Sequence, residues 1–316
     1  MKEGEFKKLL DRGKNIADAK QCFSDYIELL IDIVDYGNWL LPRAYDSSNK
    51  KLVDAIVIGV LLKQVIAMTD SVAILISNGT AYPASLSIRT ALEASLYLDW
   101  ILKGDSEKKV NYYYVSNLRD YRLWALRIIK GTPEEQKFSN DIQDLTTYFE
   151  NFNKPDIQEM TKKQLSAVER ILDLGNFKII NLELEELYKK LKRELNWYHT
   201  LVKPPNLKQI SKEVGRYPEY GFIYSSGSKT THTSDDGDHI HFSINNTKNT
   251  KVIFEPIRSL KEIDSTICYG AGIAIETYMS IIKYYRKGEL SNFVQKYKND
   301  WQRTYLSVTN VENKSE

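Results

Sequence analysis

Apolar residues recur at three- and four-residue steps through most of the first two hundred positions, the period of an amphipathic helix. In residues 22–41, CFSDYIELLIDIVDYGNWLL, Phe23, Tyr26, Ile27, Leu30, Ile33 and Val34 share one face, and Pro42 is expected to end the helix. Residues 52–77, LVDAIVIGVLLKQVIAMTDSVAILIS, are long and apolar enough to raise a membrane span, but Asp54, Lys63, Gln64 and Asp70 interrupt them. A buried helix of a soluble fold is the better reading, and no membrane span is expected. SNGT then closes that helix, and YPASLSIRTALEASLYLDWILKGD opens another at Pro83 that leaves at Gly104. Two long helices joined by so short a turn predict an antiparallel hairpin.

The next pattern, SEKKVNYYYVSNLRDYRLWALRIIKGTP, predicts a helix that stops at Gly131 and Pro133. Shorter and more polar helices follow at 133–148, 154–174 and 182–199, the first opening on TPEEQ with Thr132 as its cap. KPPN at 203–206 breaks the chain before a short helical LKQISKEVG. Alternation changes to period two in HIHFSINNTKNTKVIFEPI, which predicts a small β-hairpin within 239–255. A long helix is expected over 259–286, with Gly270, Ala271, Gly272 and Ala274 permitting close helix contact. A last amphipathic helix, ELSNFVQKYKNDWQRTYLSV, precedes a tail from about 310 expected to be mobile. The expected fold is therefore mostly α, a multi-helix bundle with long antiparallel helices and one small hairpin. Its parts are an N-terminal helical region (1–49), a helical core (50–288) with a more polar region at 133–200, and a C-terminal helix and tail (289–316).

Composition changes this picture little. With 316 residues, 42% of them hydrophobic, the chain can bury a large core without staples. The 44 Lys and Arg against 42 Asp and Glu leave a net charge of +2, so binding of a polyanion would need a local patch. Cys22 and Cys268 show no CxxC spacing, and the charged start MKEGEFKKLLDRGK lacks the apolar stretch of a secretory signal; a cytoplasmic location is expected.

Candidate chemistry gathers in two places. Arg89 and Glu93, in IRTALEAS, lie four residues apart on one face of an apolar helix; the plain alternative to a functional pair is a mutual salt bridge locking helices together. The second place is YSSGSKTTHTSDDGDHIH, residues 224–241, which holds three of the four histidines. There Tyr224, Ser228 and His232 follow a Tyr-x3-Ser-x3-His spacing that would align phenol, hydroxyl and imidazole on a helix, and His232 could move protons near neutrality. No G-x-S-x-G elbow surrounds Ser228, and a hydrogen-bonded structural cluster is the competing reading. In DDGDHIH, the residues Asp235, Asp236, Asp238, His239 and His241 offer oxygen and nitrogen ligands of a metal-binding kind, but in no standard spacing. Neither a metal nor another cofactor is expected. Basic residues interleaved with aromatics, around 108–131 and 282–305, could contact RNA, but in a helical protein such aromatics are mostly core and the cations solvated.

The order RTALEASLYLDWIL, then LNWYHTL, then LKQISKEVGRYPEYGFIYSSGSKTTHTS resembles an uncharacterised bacterial family catalogued only as a domain of unknown function. Arg89, Glu93, Trp197, Tyr220, Tyr224, Ser228 and His232 match its pattern, across roughly residues 50–285. The resemblance implies a helical domain in which the Arg/Glu helix meets the Ser/His segment. Such chains also loosely resemble the HEPN ribonucleases of toxin and phage-defence systems, where an Arg and a His cleave RNA without a metal. That likeness implies RNA as a partner, Arg89 as the cation and His232 as the general acid/base. HEPN nucleases carry Arg-x4-6-His in one short segment, whereas Ser228, Lys229, Thr230 and Thr231 precede His232 here. The rival expectation is a non-enzymatic module that binds a protein partner or a second copy of itself.

Overall fold

The computed structural model describes residues 9–142, 150–193, 195–231, 237, 239–244, 250–261 and 263–307. The chain forms two compact units, one of residues Met1–Gly104 with Ile210–Glu316, the other of Asp105–Gln209.

The first unit is built on four long helices. They are α1 (Arg12–Asp46), α3 (Lys63–Ser77), α4 (Ala84–Leu102) and α12 (Ile263–Tyr285), each packed against the other three or against two of them. Helix α3 continues α2 (Leu52–Asp54) through a π-helical stretch, Ala55–Leu62, so the most apolar sequence is one helical rod. By length and composition that rod could cross a membrane. In the fold, Val57, Ile58, Leu61, Leu62, Val65, Val72 and Ile76 are buried among α1, α4 and α12. Its one buried carboxylate, Asp54, caps the rod by accepting from the Lys51 backbone and from Tyr285 Oη at 2.9 Å each. The hairpin of α3 and α4 is present, and turns through Gly79 at φ 74°.

Close approach in this core depends on small residues. A Cβ on Gly37 would lie 2.1 Å from Tyr278 Oη, so α1 and α12 can meet here only over a glycine. Helix α1 differs from expectation in passing through Pro42 to Asp46. Proline removes a single backbone donor, and one missing bond in the last turns does not end a helix packed along most of its length.

The chain's C-terminal part closes over α1 by short helices α13 (Leu290–Lys296) and α14 (Gln302–Ser307), with a π-helical turn Tyr297–Trp301 between them. Tyr36 lies within 5.8 Å, centroid to centroid, of Trp39, Tyr278, Phe293 and Trp301. Asp32 accepts from Trp301 Nε1 at 2.6 Å and from Lys296 Nζ at 2.7 Å. In this stretch Phe293 and Trp301 are core, whereas Tyr284 is 48% exposed and Tyr285, Tyr297 and Tyr305 are half-buried. The tail beyond 307 lies outside the described residues.

Between α4 and α12 in sequence come α9 (Leu207–Glu213), α10 (Tyr217–Glu219), a π-helical stretch Tyr220–Tyr224 and α11 (Ser225–Thr231). The expected hairpin follows: β1 (Ile240–Ile244) pairs antiparallel with β2 (Thr250–Phe254), Phe242 opposite Val252.

The second unit consists of α5 (Ser106–Ile128), α6 (Pro133–Asp141), α7 (Pro155–Leu172) and α8 (Gly175–Leu191), with α5 touching the other three. Thr132 caps α6 as its sequence predicts, accepting from Glu135 N at 3.1 Å. Helix α8 starts seven residues before the expected 182 and ends well before 199. It closes at Lys192, in the left-handed conformation at φ 51°. A cleft of about 880 Å³ between α5 and α7 is walled by Tyr121, Trp124, Phe152, Ile157 and Met160. Arg89, Glu93, Tyr224 and Ser228 do not line it, but Tyr121 and Trp124 belong to the basic-aromatic run of residues 108–131.

Candidate functional site

The Arg/Glu helix is expected to meet the Ser/His segment; His232 is outside the described residues, while the part of that segment up to Thr231 does lie along the whole of α4. Residues 213–231 run antiparallel to it, fastened at successive turns. Glu213 accepts from Trp100 Nε1 at 2.6 Å, and its carbonyl from Lys103 Nζ at 2.5 Å. Arg216 reaches Ser95 and Asp99; Tyr224 and Thr231 reach Arg89; Thr230 reaches Ser85. Beyond this strip, Tyr82 Oη lies 3.0 Å from His239 Nε2. Each step back along α4 is a step forward along the segment.

Gly227 lets α11 come this close. A Cβ there would lie 2.9 Å from Arg89 Cβ and 3.1 Å from the Ser85 carbonyl oxygen, one of them backbone and unable to yield. Over that contact the Arg89 guanidinium turns back on the segment. Its Nη1 donates to Thr231 Oγ1 at 2.8 Å and its Nη2 to Tyr224 Oη at 3.0 Å, while the guanidinium carbon lies 4.3 Å over the Tyr224 ring. Hydrogen bond and cation–π contact thus hold one half-buried cation.

Glu93 does not pair with Arg89 among the described residues. It accepts from Tyr97 Oη at 2.8 Å, one turn further along α4. The mutual salt bridge is therefore replaced by two divergent contacts, because Tyr224 and Thr231 offer Arg89 closer partners across the interface. Between them stands Tyr220, whose phenol pKa is raised by burial first and then by the neighbouring Tyr224, against the lowering effect of Arg89; Glu93 adds to the rise. Ser228 lies on α11, half-exposed, and it is Thr231 rather than Ser228 that receives the guanidinium.

His232 follows Thr231 directly in the chain but lies outside the described residues, as do Asp235, Asp236 and Asp238. His239 precedes β1 and meets Tyr82 edge-on at 5.0 Å; His241 is described only by its strand position, opposite Ile253. Among the described residues no group of three acidic, histidine or cysteine side chains is placed to hold a metal. Trp197 belongs to the second unit, where it packs edge-on against Tyr113 at 5.3 Å.

The sequence reading missed the hub of the interface. Arg216 is 7% exposed. It donates from Nη1 to Asp99 Oδ2 at 2.8 Å and Ser95 Oγ at 2.5 Å, and from Nε to Glu219 Oε1 at 2.9 Å; its Nη2 also pairs with Glu219. Ser95 passes the chain of bonds to Thr277 at 2.7 Å, which donates to the Ile273 carbonyl of α12. Burial alone would lower the Arg216 pKa, but the bonded carboxylates of Glu219 and Asp99 outweigh it and raise it. Glu276 stands 3.4 Å from Arg216 Nε. Local burial raises its pKa, Arg216 opposing and Glu219 and Asp99 assisting, but its side chain is 60% exposed and solvent keeps the effect small. A signal for this hub existed: Asp99 is the lone acid in LYLDWIL, and a carboxylate on so apolar a face requires a cation.

No curated protein and no solved structure matches the chain significantly. Residues 54–249 match a family of unknown function, a stretch that opens at the Asp54 cap and takes in the whole α4 interface. By that match the chain belongs to DUF5677, a family of unknown function.

Proposed function

We propose that the protein acts on RNA as a metal-independent, HEPN-like endoribonuclease or effector, serving bacterial stress response or phage defence in the cytoplasm. The observation that carries this reading is the placement of Arg89. A half-buried cation at a helix junction is held by Tyr224 and by Thr231, the residue immediately before His232. A guanidinium has five N–H donors, so these two bonds orient it and leave donors for a phosphate. In the proposed reaction a ribose 2′-oxygen attacks the adjacent phosphorus and the bond to the 5′-oxygen breaks. Arg89 stabilises the charge on the phosphorane, and the His232 imidazole takes the proton from the 2′-hydroxyl and returns one to the leaving 5′-oxygen. The products are a 2′,3′-cyclic phosphate and a 5′-hydroxyl. Tyr224, Ser228 and Glu93 are the positioning set, Tyr224 acting on Arg89 directly.

A second reading, a non-enzymatic interaction or oligomerisation module, is favoured by the fact that both terminal nitrogens of Arg89 are already bonded within the chain. Incubation of labelled RNA with the protein in EDTA separates the two. The nuclease reading expects cleavage to cyclic-phosphate ends and a loss of about a hundredfold or more in His232→Ala at unchanged melting temperature. An inert parent protein, or a His232→Ala variant that only melts earlier, favours the module.

A further inference from the structure

Arg89 leans on Tyr224, and Tyr224 leans in turn on a ring outside the positioning set. Tyr224 Oη takes the Nη2 hydrogen bond at 3.0 Å, and the guanidinium carbon lies 4.3 Å from the centroid of its ring. The Tyr220 ring, one turn earlier, is within 16° of parallel to the Tyr224 ring at a centroid distance of 4.8 Å. The two residues are the ends of the π-helical stretch Tyr220–Tyr224, which packs on α4. Such an irregularity recurs at functional sites.

What holds Tyr220 is firmer than what holds Arg89. Its backbone N–H donates to the Arg216 carbonyl at 3.3 Å, and its chain neighbour Glu219 is bonded to the Arg216 guanidinium. Arg216 is buried and is itself tied to α4 through Ser95 and Asp99. The Tyr217 ring also stands within 19° of parallel to that of Tyr220, at 6.4 Å. A line of contacts therefore runs from the sealed Arg216 through Tyr220 and Tyr224 to the half-exposed Arg89. Tyr220 contributes to it as a ring and not as a charge, since burial first and Tyr224 next raise its phenol pKa further above neutrality.

We propose that Tyr220 is a positioning residue of the site: by stacking on Tyr224 it fixes the phenol that aims the Arg89 guanidinium at a phosphate. This rests on the RNA reading above and adds to it a residue that acts only through Tyr224. A guanidinium stabilises a phosphorane best when its donors already point to where the charge develops, and a misplacement of about 1 Å can cost a hundredfold in rate. Loss of the Tyr220 ring should therefore show in kcat more than in KM.

The test is steady-state cleavage of a labelled single-stranded RNA by the full chain, at a temperature where circular dichroism shows every variant folded. Tyr220→Leu keeps apolar bulk and removes the ring; kcat is expected to fall about tenfold or more, with KM within about twofold of the parent value. Tyr220→Phe keeps the ring and is expected to match the parent in kcat. In a Tyr224→Leu background, where the phenol to be positioned is gone, Tyr220→Leu is expected to lower kcat by no more than about a further twofold. Tyr220→Leu cleaving as fast as the parent, with only its melting temperature lowered, overturns the assignment and leaves the RNA reading standing. A loss in KM alone, or a full loss on top of Tyr224→Leu, overturns it too, because Tyr220 then acts by another route. A parent protein that leaves the RNA intact overturns both.

Discussion

Arg89 and Arg216 sit on the same strip of interface and are held in different ways. Arg216 is sealed, with every nitrogen of its fork given to Asp99, Ser95 or Glu219. Arg216→Ala would strand the Asp99 carboxylate, itself only 14% exposed, and should cost about 3–5 kcal/mol in urea unfolding. Arg216→Lys should recover less than half of that, since an ammonium cannot reproduce the fork. Arg89 is half-exposed and keeps the donors to meet a ligand, which is why the functional proposal rests on it and not on its deeper neighbour. Arg89 and Glu93 were readable from the sequence because charge on an apolar helix face demands a partner. The identity of that partner was not readable: Tyr224 and Thr231 lie more than 130 residues away. Arg216 escaped because its apolar setting is tertiary, while in sequence it follows the polar SKEVG.

At the scale of elements, the α4–α11 junction hangs on one missing side chain. Gly227→Ala places a methyl 2.9 Å from Arg89 Cβ and should cost about 1–3 kcal/mol, measurable as a lower melting temperature, by forcing the helices apart. At the other end of α12, Glu289 pairs with Arg43 and Arg286. Its carboxyl is held at about 2 instead of the usual 4.5, by the Arg286 hydrogen bond first and, against the opposing effect of burial, by Arg43. A carboxyl with a depressed pKa contributes stability that is present above about 4.5 and lost as pH falls through about 2. Glu289→Gln should therefore melt ~2–4 °C below the parent at neutral pH, with the difference fading across that acid window. The long helices and the hairpin were legible because periodicity and turn residues agree along them. Pro42 and the early start of α8 were not, since tertiary packing carries one helix past its breaker and a glycine opens the other. The π-helical stretches leave no mark in the apolar period.

For the whole molecule, a net charge of +2 provides no general field to draw in a polyanion, so any RNA affinity must come from a few cations. With Arg89 as the phosphate contact, the logarithm of the binding constant should fall against the logarithm of salt with a slope of about −1 in single-strand titrations. A slope several times steeper would place the RNA on some other, broader basic surface. The mostly helical class was readable from the whole chain; the division at Gly104 and Ile210 falls at or near breaks the sequence shows, Gly104 and KPPN at 203–206, but nothing in the helical pattern separates those breaks from the turns within one unit. The central claim is that Arg89 is a phosphate-binding catalytic residue and not only a clamp. The most direct measurement is the rate at which Arg89→Ala cleaves a labelled single-stranded RNA in EDTA, beside the parent and at a temperature where circular dichroism shows both folded. The account predicts a parent that cleaves and a variant slower by about a hundredfold or more; equal rates, or a parent that leaves the RNA intact, would contradict it.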